Sequence, residues 1–409
     1  MDVVVIGGGQ AGLATSHELS RAGVEHVVLE RARIGASWTE RWESFCLVTP
    51  NWTAQLPGSP YDGDDPDGFM LREEIVAHLE RYAAELDAPI HEGVEVGSLD
   101  PAPGGGFALR TSEGDLRAGS VVVATGAYQR PFRPAGAQTL PADIPQLDVE
   151  DYRNPEELPD GGVLIVGSGQ SGCQIAEELL ESDREVFLAC GRAPWAPRRV
   201  GDRDTVWWAV EGGFMDQTPA DVPWPAARLV ANSVATGRGG GHDLHLRTLR
   251  ASGATLLGHF LGAEGGRARF ADDLAESVAW GDERCGELLQ LIRKVVDERG
   301  LPMPDLPDPE PFDASAPTEL DLARVGAVLF AGGFRPDYGG WVHVPGAFDE
   351  MGFPVHVEGS STVAEGLYFV GVHFLRKRKS SLLLGVGEDA EVVAGQIAAA
   401  ARTATAQPG

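Results

Sequence analysis

Four consecutive β-branched residues, Val3-Val4-Val5-Ile6, stand near the start of the chain, and such a run is apolar on both faces of any strand it forms. It predicts a strand buried on both sides, as in a parallel sheet. A helical run follows to Gly23, then a second apolar run, His26-Val27-Val28-Leu29-Glu30. The same order returns later: Val163-Leu164-Ile165-Val166, a helix to about Glu181, and a strand from Glu185 to Cys190. Two further apolar runs end in small residues, Val121 to Gly126 and Ala327 to Gly333. Leu367 to Gly371 predicts the last strand, and the final helix is expected from Gly387-Glu388-Asp389, its amide end open to a cofactor carbonyl or phosphate. Helical periodicity marks Leu71 to Leu86 and Leu288 to Arg299, and Gly104 to Gly119 alternates like a hairpin.

Between the strand and helix of each repeat lies a glycine motif. The first is Gly7-Gly8-Gly9-Gln10-Ala11-Gly12 and the second Gly167-Ser168-Gly169-Gln170-Ser171-Gly172. In such a turn the first glycine permits the tight bend, the second lets backbone approach a pyrophosphate, and the third lets helix pack on strand. The unpaired amides and positive dipole end of the helix then receive the phosphates. Both stretches predict dinucleotide sites. They differ at the end of the second strand, where the first has Glu30 and the second Ala189-Cys190-Gly191-Arg192, with Arg198 and Arg199 nearby. An acid suits free ribose hydroxyls, and a guanidinium suits a 2′-phosphate, so FAD is expected in the first unit and NADPH in the second. A solvated surface arginine is the plain alternative for Arg192. The expected fold is α/β with two Rossmann-like dinucleotide-binding domains, the NADPH domain inserted into a discontinuous FAD domain. The expected boundaries are 1–155 for the first part of the FAD domain, 156–320 for the NADPH domain with a Trp- and Pro-rich insertion, and 321–409 for the second part of the FAD domain.

Composition narrows the class without changing that picture. A chain of 409 residues, 43% hydrophobic and 23% charged, has the make-up of a folded globular protein with room for two or three cores. Its net charge of −28 disfavours nucleic-acid and anionic-membrane partners, whose phosphates would repel it. Cys46, Cys173, Cys190 and Cys285 are scattered, with no pair two residues apart, so neither a redox dithiol nor a zinc knuckle is expected and no metal site is predicted. Cysteine usage, a buried strand directly after Met1 and the lack of a long apolar run point to a cytoplasmic chain without signal peptide or membrane span. Nothing in the sequence fixes the oligomeric state; a homodimer is compatible with it.

The ordered pair of glycine motifs, with Trp38 after the first, Ala124-Thr125-Gly126, the Pro/Asp/Phe-rich stretch from Tyr61 to Met70 and Phe330-Ala331-Gly332-Gly333-Phe334-Arg335-Pro336, resembles the flavin-containing monooxygenases of the two-dinucleotide-domain type, relatives of the Baeyer–Villiger and N-hydroxylating enzymes. That resemblance covers nearly the whole chain. It implies FAD-dependent, NADPH-consuming monooxygenation: a flavin peroxide formed from dioxygen hands one oxygen to nitrogen, sulfur or a ketone of a small organic substrate. One motif departs from the family. Where its Phe-x-Gly-x-x-x-His-x-x-x-aromatic segment should stand, this chain has Ala142, Ile144 and Asp148, and only the final aromatic, Tyr152, remains. The rival readings are therefore an NADPH-dependent flavoprotein oxidase or reductase without oxygen transfer, and a redox sensor without turnover.

Cofactor contacts are expected from Gly7, Gly9, Gln10, Ala11, Gly12, Glu30, Arg31, Ser37, Trp38, Thr125, Gly126, Gly333, Gly371 and Gly387, and in the second unit from Gly167, Gly169, Gln170, Ser171, Gly172 and Arg192. Asn51 resembles an asparagine beside the flavin in related monooxygenases, with turn capping after Pro50 as its alternative. His373, just past the last strand, falls where this architecture brings residues near the flavin, with a structural histidine as the alternative. The run Arg376-Lys377-Arg378-Lys379 is either a solvated loop or a contact for a cofactor phosphate or anionic substrate. Trp207, Trp208 and Trp224 either line a substrate pocket or fill a core.

Overall fold

The structure, a computed structural model, describes residues 2–406 apart from Ala88, Ala231 and Pro307. The first unit opens with β1 (Val3–Ile6), α1 (Gln10–Arg21) and β2 (His26–Glu30), continues through α2 (Arg72–Ala84) and β3 (Ile90–Glu92), and adds β4 (Ser120–Val123). The second runs through β5 (Gln146–Asp148), β6 (Gly162–Val166), α3 (Gln170–Glu181), β7 (Val186–Ala189), α4 (Thr205–Glu211), β8 (Thr255–Leu257), α5 (Leu274–Arg299) and β9 (Val325–Phe330). The chain then returns to the first with β10 (Leu367–Phe369) and α6 (Val386–Ala406).

Two parallel sheets carry the architecture. The first has the order β10-β4-β1-β2-β3, extended beyond β10 by an antiparallel edge hairpin over 356–361. The second has the order β5-β9-β6-β7-β8. In both, the first strand of the dinucleotide unit lies between the unit's next strand and a late one: Val5 faces Val28 and Val122, and Ile165 faces Leu188 and Leu329. The alternation of β1 shows why its run is wholly apolar. Val3 and Val5 enter a core with α1, α2 and α6, including Leu13, Ile75 and Val393, while Val4 and Ile6 enter the opposite core with Val121 and Phe369. Each such buried side chain contributes about 1.5–3 kcal/mol relative to exposure, which a one-residue register slip would forfeit.

The division into units differs from the expected boundaries. Residues 146–148 and 325–330 both pair inside the second sheet, one outside the other, so the second unit takes strands assigned in sequence to both parts of the first. The physical reason is that β6 needs a partner on each side, and β9 satisfies it with the apolar run that β4 gives to β1. Passage between units is marked by an antiparallel ribbon pairing Arg130 with Arg335 and Pro131 with Phe334. The helix expected over 288–299 begins fourteen residues earlier as α5, whose first half packs beneath Trp195, with Gly281 against the Ala193 carbonyl. Among the described residues no helix is long and apolar enough to cross a membrane, and no His/Cys/Asp/Glu group could hold a metal.

Candidate cofactor cradles

At the first glycine motif, Gly7 has φ +107° and a Cβ there would lie 2.5 Å from the Ala124 carbonyl oxygen. A Cβ on Gly12 would overlap the Gly7 carbonyl. Both positions therefore demand glycine, one for conformation and one for helix-to-strand contact. Gly9 is different: its backbone is extended, and a Cβ would meet nothing within 4 Å. It faces open space at the start of α1, where no side chain caps the helix and no acid sits in the first turn. Those are the amides that a pyrophosphate would accept from.

Glu30 closes the side of this cradle. Its carboxylate accepts from the Gly8 amide (2.6 Å) and the Ala32 amide (2.9 Å), so the acid is pinned beside the glycine loop at the end of β2. Arg31 and Ser37 are exposed nearby. Trp38 Nε1 donates to Gln10 Oε1 (3.4 Å), and Gln10 Nε2 donates to the Ser381 carbonyl (3.2 Å). Ser381 Oγ in turn lies 3.4 Å from His373 Nδ1. Gln10, Trp38 and the 373–381 stretch are thus joined at the start of α1. Gly371, with φ +76°, packs so closely on Ala11 that a Cβ would overlap it, and Gly387 at the start of α6 abuts Pro57. Thr125 and Gly126 follow β4 beside Gly7; the Gly126 carbonyl accepts from Tyr338 Oη (2.8 Å).

The second cradle repeats the build. Gly167 has φ +116° and the Ala331 carbonyl 2.5 Å from its would-be Cβ, and a Cβ on Gly172 would overlap the Gly167 carbonyl. The small residues ending β4 and β9 thus serve one purpose, bringing a carbonyl onto the first glycine of each motif. Gly169 starts α3 in extended conformation, again with no capping side chain and no acid in the first turn, and Ser171 stands in that turn. Gly333, with φ +80°, follows β9 in the turn leading to the ribbon. Ser168, which sequence did not single out, ties the loop to the next strand: its hydroxyl accepts from the Gly191 amide (3.1 Å) and donates to the Gly191 carbonyl (3.3 Å). Below it a cavity of about 20 Å³ lined by Ser168, Cys173, His245 and Ser277 has room for one water only.

Several candidates separate at this point. Gln170, the counterpart of Gln10, has its amide engaged with both the carbonyl and the amide of Ala235. Arg192 is exposed past the end of β7, next to Gly191, which has His259 alongside. His259 was not foreseen; its ring nitrogen Nδ1 lies 2.7 Å from Asp273. Arg198 is not available to a nucleotide: it is buried, ion-paired with Asp204, and donates to the Val48 carbonyl of the first unit (2.8 Å). Asn51 is buried, its oxygen accepting from the Met70 amide (2.6 Å) and its nitrogen donating to the Asp65 carbonyl (3.0 Å), so it holds the 51–70 loop together.

Trp208 belongs to a core, packed on Cys285 and Ile292 of α5 with its Nε1 donating to Val200, whereas Trp224 is exposed. His373 is half-buried, and burial together with the nearby Arg378 guanidinium pushes it down to about 4, leaving a neutral ring at pH 7. The basic run is folded inward. Arg376 pairs with Glu358 and Asp389, and Lys377 and Lys379 each pair with Asp216 and Glu388. All four cysteines are buried and free; burial raises every thiol, Cys190 and Cys285 to about 12, so none is a ready thiolate.

Two like-built strand–glycine–helix units on parallel sheets, linked by a two-stranded ribbon, define the fold of a two-dinucleotide flavoprotein oxidoreductase. Residues 4–206 match the model of the pyridine nucleotide-disulphide oxidoreductase family. A "CzcO-like" oxidoreductase of Geobacillus kaustophilus is 31% identical over 97% of this chain and 98% of its own length. The chain belongs to the CzcO-like oxidoreductases, and FAD and NADPH are the cofactors of the two-dinucleotide oxidoreductase class. An indole-3-pyruvate monooxygenase of rice is 31% identical over 43% of this chain and 44% of its own length. The flavin-containing monooxygenase of Stenotrophomonas maltophilia, 21% identical, superposes with a TM-score of 0.67 over 98% of both chains, which shows the shared fold.

Proposed function

We propose that the protein is an FAD-dependent monooxygenase that consumes NADPH and places one oxygen atom of dioxygen on a small organic substrate. The observation that carries this reading is the pair of like-built cradles with opposite charges at their flanks, the pinned carboxylate of Glu30 and the exposed guanidinium of Arg192. Gly7 to Gly12, with Glu30, Trp38 and Gly371, would hold FAD, and Gly167 to Gly172 with Arg192 would hold NADPH. When bound, FAD supplies hydride acceptance from the nicotinamide and the activation of dioxygen. The chain's own task is positioning and exclusion of water. Trp52 of the first unit, Val206, Phe214 and Met215 of the second, and Leu382 and Leu384 before α6 form one apolar cluster that joins the two units. Such a wall shields a reactive centre from solvent. His373, neutral and aimed at Ser381, would orient rather than transfer a proton at pH 7.

The absence of a ready thiolate supports oxygen chemistry over the disulfide chemistry in the matched family's name. A second reading, oxidase activity without oxygen transfer, is favoured by one feature: Asp148, standing where the monooxygenase motif has histidine, is engaged by Arg133 at 2.9 Å through both carboxylate oxygens. The test is to reduce the FAD-loaded protein with NADPH under nitrogen and admit labelled dioxygen with a panel of amines, sulfides and ketones. Label in an organic product supports monooxygenation. Hydrogen peroxide equal to NADPH consumed, with every substrate class, supports the oxidase.

A further inference from the structure

Among the described residues, carboxylates neutralise three of the four cations in the run 376–379 and leave one without such a partner. Arg378 donates from Nε and Nη2 to Gln217 Oε1 (3.2 and 3.0 Å) and from Nη1 to Asn232 Oδ1 (3.1 Å). Both partners are neutral amides. They aim the guanidinium without cancelling its charge, and among the described residues they leave part of its donor fork unused. The group is also held between two rings, 4.1 Å from the centroid of Phe214 and 4.7 Å from that of Phe374. Burial without a neighbouring carboxylate pulls Arg378 down to about 10, a cost that an arriving anion would relieve.

Phe374 adds a separate observation. It has φ +54°, a conformation a bulky L-residue rarely adopts, and its ring meets His373 edge-on at 5.2 Å. Backbone of that kind persists where surrounding structure enforces it, and it gathers at ligand sites. The enforced turn carries the chain from the His373–Ser381–Gln10 junction to Arg378. Beside Arg378 stands the apolar wall of Trp52, Phe214, Leu382 and Leu384, each partly open to solvent. A lone oriented guanidinium at the edge of an apolar wall matches a ligand with one anionic end and an apolar body.

We propose that Arg378 is the specificity-determining residue for substrate, receiving the carboxylate of an organic acid whose apolar part lies on the Trp52–Phe214–Leu382 wall. This inference rests on that apolar cluster being the substrate site of the proposed oxidoreductase, and it names the substrate class. Planar carboxylate and planar guanidinium match in a two-point contact, which a lysine cannot reproduce.

The test uses calorimetric titration of the full-length, FAD-loaded protein with 3-phenylpropanoate and with its neutral isostere 3-phenylpropanamide. The carboxylate should bind at least ~10-fold more tightly, the equivalent of about 1.4 kcal/mol. Arg378→Gln should bring the ratio close to one. Gln217→Glu, which keeps the packing and supplies an internal carboxylate to Arg378, should do the same, so the result stands if the first variant folds poorly. Affinity for NADPH should be unchanged in both. A wild-type ratio near one, a ratio unmoved by both substitutions, or a loss confined to NADPH would overturn the proposal, the last by assigning Arg378 to a cofactor phosphate. Binding is read without turnover, so failure of oxygen transfer would sink the functional reading and leave this result standing.

Discussion

Substituting alanine at Gly9 and at Gly12, three residues apart in one motif, should give different failures. At Gly12 the added Cβ would lie 2.9 Å from the Gly7 carbonyl carbon and closer still to its oxygen, and both are backbone atoms that cannot swing aside. Ordinary carbon contacts need about 3.5–4.0 Å, so α1 must move off β1 by about 1 Å or more. Overpacking of that kind costs about 1–3 kcal/mol, a fall of roughly 2–4 °C in melting temperature per kcal/mol for a unit of this size. Displaced amides would lose charge-assisted bonds to a pyrophosphate worth about 1.5–3 kcal/mol each. Gly12→Ala should therefore lower the melting temperature of FAD-free protein and also weaken FAD.

Gly9→Ala has no such clash, because its Cβ points into open space and its backbone angles suit alanine. The FAD-free protein should melt as wild type does. Yet that open space is where the phosphate would approach, so FAD affinity should fall about 10-fold or more, the loss of roughly one such bond. Thermal melts of stripped protein and quenching of FAD fluorescence on rebinding measure the two effects separately. Wild-type FAD affinity in Gly9→Ala would refute the placing of a pyrophosphate against this loop, whatever Gly12→Ala does.

Arg192→Ala should weaken NADPH about 10- to 100-fold by removing a guanidinium–phosphate contact and leave NADH nearly untouched; equal effects on the two would remove Arg192 from the 2′-phosphate site. Arg198→Ala breaks the buried pair with Asp204 and should cost about 3–5 kcal/mol in chemical denaturation. Lys294→Ala, at the exposed pair with Glu298, should cost under about 1 kcal/mol, and similar losses in the two would contradict the burial argument. His373 titrates in the folded chain near 4, below its ordinary 6.5, so the unfolded state binds the extra proton first. Stability should accordingly be full above pH 6.5 and decline as pH falls toward 4. His373→Gln should flatten that part of the acid-denaturation curve, and an unchanged slope would show that the ring is not buried neutral.

How much was legible in the sequence depended on the range of the interaction. The strand–glycine–helix units could be read directly, because β1, the Gly7–Gly12 turn, α1 and Glu30 make their decisive contacts within about thirty residues of one another. The apolar runs, the three-glycine spacing and the acid are local facts with local consequences. The register and composition of the second sheet were not of that kind. The run Val325–Phe330 is as apolar as Val121–Val123, and only the competition of β1 and β6 for neighbours decided which strand joined which sheet.

Side-chain fates diverged for the same reason. Gln10 and Gln170 occupy equivalent motif positions, yet one reaches Trp38 and Ser381 and the other is bound to Ala235. Arg192 and Arg198 are six residues apart and equally cationic in sequence, but Asp204 and the Val48 carbonyl close over one and leave the other in solvent. Arg378 stands alone among its basic neighbours because Asp216, Glu358, Glu388 and Asp389 are brought to the others by folding. The chain's local pattern set where phosphates can be cradled. Which charges remain unspent to meet a ligand was decided by packing, close in sequence for Asp204 and Glu388 but across more than a hundred residues for Val48 and Asp216, since an ion's partner is whatever the tertiary structure places within reach.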